Sequence, residues 1–345
     1  MGAPVYDDAF KAKAVARFTE TGELRAVARE FGIHHTTLMK WIEISGAKYT
    51  APATDRSDSA IAARLVAHAK EGGRIADAMN PYNPHVHFRI DTDKPVDLAD
   101  VADEHLGFYG VDYDLFEAVN AWIMADDQRY CRKGGDLIEN TPPSFPSAGT
   151  VFDQVIPPHH QERLARYHLE ELAGGGDGHE WVKNLDGMWE PAGKCVLYND
   201  GNHEARNFKR GHMTFAHSVG SLVPVCFNSV RLTLEVGDQK YEGICNHHLP
   251  GSTRLNRWNG HRRAREDAGE PIHFVMSAHL HKPAAQYWIH RGCGYADVVT
   301  GTFKKSDPFL EKQGVAFAFG VPVLRFFPDR HKIEVRMMDR TDFGL

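Results

Sequence analysis

The feature that most constrains this chain is a series of short polar stretches, each placed at the end of an apolar run. They are ADEHLG (102–107), GGDLIEN (134–140), NDGNHE (199–204), CNHHLPGS (245–252) and SAHLHKP (277–283). Each offers Asp, Asn or His where a strand gives way to a loop. A divalent cation needs several oxygen and imidazole ligands converging from separate segments, and this series supplies them. The fold has to bring these strand ends to one place.

The text around the stretches is that of an α/β protein. From about residue 95, the runs VDLADVAD, CRKGGDLIE, GKCVLYND, YEGICNHH and IHFVMSAH read as strands. They alternate with the helical segments YDLFEAVNAWIMADDQRY and HHQERLARYHLEELA, the alternation expected of layered α/β folds. GVPVLRFFPDRHKIEVRMM reads as a C-terminal hairpin with Pro-Asp in its turn. Within the stretches, Asp103 and His105 are two residues apart and can reach one face of a metal. Asp136 follows two glycines and is placed to bridge two cations. Asn202 offers a neutral amide oxygen just before His203, and His247, His279 and His281 complete a set of imidazoles.

Over about 95–320 the chain resembles the calcineurin-like metallophosphoesterases, most specifically in GNHE and in the paired histidines of SAHLHKP. The resemblance implies a four-layer α/β/β/α sandwich with its site at the C-terminal ends of the strands. It implies that Asp103, His105, Asp136 and His281 hold one metal, and that Asp136, Asn202, His247 and His279 hold a second. His203 would be the catalytic histidine, contacting the phosphate and protonating the leaving oxygen. Two divalent cations are implied, manganese first and then iron or zinc. Three departures stand out: Ala278 replaces the usual Gly, His247 is followed by a second candidate in His248, and about 60 residues separate Asn140 from Asn202. A negative φ would let Ala278 be tolerated. The long separation reads as an insertion carrying an amphipathic helix over 158–173.

The first 46 residues form a separate module. FKAKAV, LRAVAREFGI and TTLMKWI give three short helices and resemble the helix-turn-helix of insertion-sequence transposases. This implies a small all-α domain over 1–46 with DNA as partner and His35, Thr36, Thr37 and Lys40 on its reading face. His34 stands where a Ser cap is usual, so the third helix is expected to start less firmly. Residues 47–94 read as a linker with a connecting helix around 58–71 and a short strand VHFRI, and 95–345 as the phosphoesterase domain.

Composition sets the outer limits. At a formal charge of −6 the whole molecule is no electrostatic DNA binder, so nucleic-acid affinity needs a local patch. Arg254 and Arg257, in an arginine-rich stretch with Arg262, Arg263 and Arg265, are candidates for a phosphate rim, the alternative being a solvated helix face. Lys304 and Lys305 could extend such a rim. Scattered cysteines, five in all, point to a reducing, cytoplasmic setting, and no apolar stretch is long enough to span a bilayer. The first functional expectation is a two-metal phosphodiesterase directed at DNA, a nuclease. A phosphomonoesterase acting on protein or nucleotide is the alternative, and a DNA-binding regulator with a decayed phosphoesterase domain is a third reading.

Overall fold

The computed structural model describes residues 6–48, 84–141, 148–174, 193–208, 215–220, 222–227, 229–312 and 318–345, with 66, 67, 70 and 314. It divides into two units, Met1–Asn80 and Pro81–Leu345. Most of the expected linker and connecting helix lies outside the described residues.

The first unit packs α1 (Asp8–Thr21), α2 (Leu24–Glu30) and α3 (His35–Ser45) around Ala14, Val15, Val27, Ala28, Ile33 and Leu38. Asp7 caps α1 by accepting from the Phe10 amide at 2.7 Å, and Gly22 ends it in the left-handed region at φ 70°. The expected weak start of α3 is corrected by an imidazole. His34 Nδ1 accepts from the Thr36 amide at 3.4 Å and lies 2.8 Å from Thr36 Oγ1, so histidine does the work of the missing serine.

The second unit runs β1 (His85–Ile90), β2 (Val96–Val101), α4 (Tyr113–Met124), β3 (Arg129–Lys133), α5 (Pro158–Leu172) and β4 (Cys195–Asn199). There follow α6 (Ala205–Phe208), α7 (Phe215–Val219), β5 (Val225–Cys226), β6 (Val230–Val236), β7 (Gln239–Cys245) and α8 (Asn259–Ala268). The chain ends with β8 (Phe274–Ser277), β9 (Ala284–His290), β10 (Cys293–Val299), α9 (Pro308–Lys312), β11 (Val321–Phe326) and β12 (Ile333–Met338). The strands form two six-stranded sheets, ordered β12-β11-β2-β3-β4-β5 and β1-β6-β7-β8-β10-β9. VHFRI is thus an edge strand of the second sheet, paired in parallel with β6, and this unit begins ahead of residue 95. The C-terminal hairpin pairs Val321 with Met338 through Phe326 with Ile333.

Side-chain alternation explains the layering. Leu98, Leu324 and Phe326 of the first sheet meet Phe88, Leu232, Leu234 and Phe274 of the second in the core between the sheets. Ala99 and Val101, one residue out of phase with Leu98, face the other way against Leu115, Phe116 and Val119 of α4 and Leu169 of α5. On the far side, Ile244 and Val275 pack with Ala264 and Ala268 of α8. The result is a four-layer α/β/β/α sandwich, in which each fully buried large apolar side chain contributes about 1.5–3 kcal/mol. Among the described residues, no helix is long and apolar enough to cross a membrane.

Two buried cations end β3. Arg132 donates to Asp100 at 2.6 Å, to Asn199 Oδ1 at 2.8 Å and to the Asn246 carbonyl at 2.7 Å. It therefore ties β2, β3, β4 and the end of β7 together beneath the strand ends. Lys133 pairs with Glu104 at 2.6 Å. Removing one partner of such a pair strands the other charge in a dry interior. Arg132→Leu is expected to lower the unfolding free energy by about 3–5 kcal/mol, read by urea denaturation.

Candidate metal centre

The candidate ligands all follow the C-terminal ends of strands, where open α/β sheets place their ligands. Asp103 and His105 follow β2, Asp136 follows β3, and Asn202 and His203 follow β4. His247 follows β7, and His279 and His281 follow β8. Both sheets contribute, and the short loops are stitched to one another. The amides of Asp103 and His105 donate to the carbonyls of Gly135 and Asp136 at 3.0 and 2.9 Å, and that of Ala278 to His247 at 2.9 Å.

The backbone takes an uncommon path at these loops. Asp103, His105, Asp136, His279 and His281 lie in the left-handed region, at φ 54°, 52°, 53°, 69° and 52°. Asp and His enter that region more readily than most residues, yet each instance costs about 1–3 kcal/mol. Surrounding contacts hold them there. Ala278 lies outside the left-handed region, which is why its methyl is tolerated. Gly201 is required by close approach, since a Cβ there would sit 2.2 Å from both the amide and Oδ1 of Asp136.

The side chains converge. His281 Nε2 lies 3.3 Å from Asp103 Oδ1 and 3.2 Å from His105 Nε2. On the other side of Asp136, His247 Nε2 lies 3.3 Å from Asp136 Oδ2, 3.1 Å from Asn202 Oδ1 and 3.2 Å from His279 Nδ1. Among the described residues, three sets have ligand atoms close enough to share an ion: Asp103–His105–His281, His105–Asp136–His203 and Asp136–His247–His279. The histidine of the 247–248 pair that points inward is His247; His248 is exposed.

These residues fit divalent cations. Asp103 Oδ1 is buried and, although His281 Nε2 lies 3.3 Å away, accepts no hydrogen bond among the described residues, the kind of oxygen that suits a cation. Burial first, then the Lys304 ammonium beside it, press His105 down to about 3; burial and His247 press His279 to about 3. Both imidazoles are therefore neutral at pH 7, the state that ligates. Burial opposes charge on His247, but Asp136 and Asp103 hold it up at about 9, so this corner of the site attracts positive charge.

His203 is held by two partners that motif reading missed. Its Nδ1 donates to the Glu139 carbonyl, so Nε2 accepts, at 2.8 Å, from Arg206 Nη2. Arg206 also donates to the Glu139 carbonyl and to Thr141 Oγ1, each at 3.0 Å. Glu139 Oε2 lies 3.0 Å from His105 Nδ1 and 2.9 Å from Lys304 Nζ. Glu204 accepts from the amides of Asp136, Gly201 and Ile138 at 3.1, 3.0 and 3.2 Å, bracing the loop that carries Asp136. Glu139 and Glu204 stand inside the GGDLIEN and NDGNHE stretches, so a signal for them existed. Arg206 and Lys304 carried none.

The remaining candidates separate. Lys304 is no rim residue: it is buried, pairs with Glu139 and with Asp307 at 2.8 Å, and lies 4.3 Å from the Phe108 ring centroid. Lys305 pairs with Asp112 at 3.1 Å. Arg254 is exposed, while Arg257 is half-buried and donates to the Pro283 carbonyl at 3.3 Å, joining the loop after His247 to the loop after His281. In the N-terminal unit, Thr36 and Lys40 are exposed on α3, and His35 and Thr37 are half-buried.

No family model matches the chain, and no curated protein matches it. Among solved structures, it is similar to the phosphoesterase Yfce from E. coli, at 10% identity and a TM-score of 0.36, over 70% of this chain and 98% of that one. A metallophosphoesterase from Sphaerobacter thermophilus is similar at 13% identity and a TM-score of 0.30, over 71% of this chain and 89% of that one. A candidate 5′-nucleotidase from Staphylococcus aureus is similar at 14% identity and a TM-score of 0.40, over 73% of this chain and 57% of that one.

Proposed function

We propose that this protein is a metal-dependent phosphoric ester hydrolase acting on phosphodiesters, with nucleic acid as its substrate class. The observation that carries the reading is two adjoining ligand sets, Asp103, His105 and His281 in one and Asp136, His247 and His279 in the other, with His105 and Asp136 near enough to each other to join them. Asn202 Oδ1 joins the second set. Divalent cations held there, manganese first by ligand chemistry and iron or zinc next, supply charge neutralisation for the phosphate and a water ready for attack.

The protein's own groups do the rest. Asp136 Oδ1 accepts from the His203 amide at 2.9 Å, so the catalytic histidine is aligned on the bridging carboxylate. His203 Nε2 faces Asp136 Oδ2 at 3.7 Å and, after taking a proton from solvent, is the atom that would pass it to the leaving oxygen. Arg206 beside it is placed to take a phosphate oxygen, and doing so would release Nε2 from its present hydrogen bond. Support for a nucleic-acid substrate comes from the sequence pattern of the N-terminal helices and from Thr36 and Lys40 exposed on α3.

The test is hydrolysis of bis-p-nitrophenyl phosphate beside p-nitrophenyl phosphate by the manganese-loaded chain, followed by single-stranded and plasmid DNA. Diester and DNA cleavage, abolished by EDTA, is the expected result. Cleavage of the monoester alone would replace this reading with a phosphomonoesterase. Inactivity toward all of them in the metal-loaded protein would remove the enzyme reading.

A further inference from the structure

A concavity lies on the outer face of the second sheet, between α8 and the strands β9 and β10. It has a volume of about 410 Å³, within the range of small-molecule sites, and two tryptophans in its wall. Strand alternation creates it. Gln286 and Trp288 of β9 project on the same face as their β10 partners Asp297 and Tyr295. Trp258, at the start of α8, closes the opposite side.

The wall is preorganised. Tyr295 stacks beside Trp288 with ring centroids 5.7 Å apart and planes 12° from parallel. The Arg265 guanidinium lies 4.9 Å from the Trp288 ring centroid and pairs with Asp297. Gln286 donates to the other Asp297 oxygen at 2.7 Å, so the acid's charge is answered within the wall. Trp288 nonetheless remains 36% exposed, and Arg262 at the rim has a side chain 72% exposed. A partly exposed indole beside Arg265, side-chain amides near it and an exposed guanidinium at the mouth, which donates to Asn259 Oδ1 at 3.2 Å, match a nucleotide: a flat π-face to stack, polar base edges, and a phosphate.

The concavity is also tied to the metal centre. The loop after His247 leads into α8, and Ser252 Oγ donates to the Arg257 carbonyl at 2.8 Å while Arg257 grips Pro283. Pro283 directly precedes β9, so from His281 to Trp288 there are at most about 20–25 Å of extended chain. We infer that this concavity binds a base of a single-stranded nucleic acid whose phosphodiester lies at the metals. The inference rests on the phosphodiesterase reading for the strand's destination, but the binding itself can be measured without catalysis.

Fluorescence anisotropy of a labelled thymidine oligonucleotide with the full chain in EDTA provides that measurement. Trp288→Ala is expected to weaken binding about tenfold or more, the size of a lost base–aromatic stack, and Trp288→Phe to retain most of the affinity. Arg262→Ala, a surface change that leaves the fold intact, is expected to weaken binding and to reduce the slope of log affinity against log salt by about one. Unchanged binding in both alanine variants overturns the inference, whatever the N-terminal helices contribute. So does absence of binding by the unaltered chain. Failure of the phosphodiesterase reading shows separately, as absent hydrolysis of bis-p-nitrophenyl phosphate by the unaltered protein.

Discussion

Asp136→Ala is expected to abolish diester hydrolysis, with a loss exceeding the roughly 10²–10³-fold typical of removing one preorganised charge-stabilising group. The carboxylate has two simultaneous tasks. Its Oδ2 lies 3.3 Å from His247 of the second ligand set and 3.7 Å from His203, and the carboxylate also groups with His105 of the first set. Its Oδ1 holds the His203 amide at 2.9 Å. Removing it takes away the shared ligand and loosens the catalytic histidine together. Titration calorimetry with Mn²⁺ checks the first effect, and saturation kinetics checks the second. Retained cation stoichiometry with unaltered kcat would contradict the bridging role. The fold should survive, because the amide of residue 136 still donates to Glu204 at 3.1 Å.

Glu139→Gln is expected to reduce metal affinity or activity by about 10–100-fold, the usual effect of altering a group that orients a ligating histidine. Glu139 Oε2 touches both His105 Nδ1 and Lys304 Nζ, at 3.0 and 2.9 Å. With Nδ1 engaged by the carboxylate, the other ring nitrogen of His105 is left toward Asp103 and His281. Burial works against the charge on Glu139, but the Lys304 ammonium holds its carboxyl well below the usual range, so it is ionised at neutral pH. Lys304→Met removes that support and leaves a buried carboxylate short of a partner, a change expected to destabilise the protein by about 3–5 kcal/mol. Equal metal affinity in Glu139→Gln and the unaltered chain, measured by calorimetry, would reduce Glu139 to a packing role.

The strand ends were legible because each apolar run stops at a residue that can ligate, and alternation gives β2, β3, β4, β7 and β8 their places in a layered fold. Spacing alone could not choose between His247 and His248. That choice is made by the turn after β7, which points one imidazole at Asp136 and leaves the other exposed. Nor could spacing show that Asp103, His105, Asp136, His279 and His281 adopt positive φ, since the conformation is imposed by neighbouring loops. VHFRI read as a strand, but its partner β6 lies more than a hundred residues away, so its membership in the second sheet was invisible locally. The same holds for Arg206 and Lys304, whose importance comes from what tertiary packing sets beside them. Lys304 looked like surface charge next to Lys305 and proved to be a buried counter-ion of Glu139.

The site offers a rival arrangement, because His105, Asp136 and His203 form a third set able to share one ion. In that arrangement His203 would be a ligand, and no free histidine would remain beside Arg206 to handle the proton. Anomalous X-ray scattering from crystals grown with Mn²⁺ separates the two. Two peaks are expected, one among Asp103, His105 and His281 and one among Asn202, His247 and His279, with Asp136 between them and His203 outside both coordination spheres. A single peak held by His105, Asp136 and His203 would contradict the two-cation phosphoesterase centre.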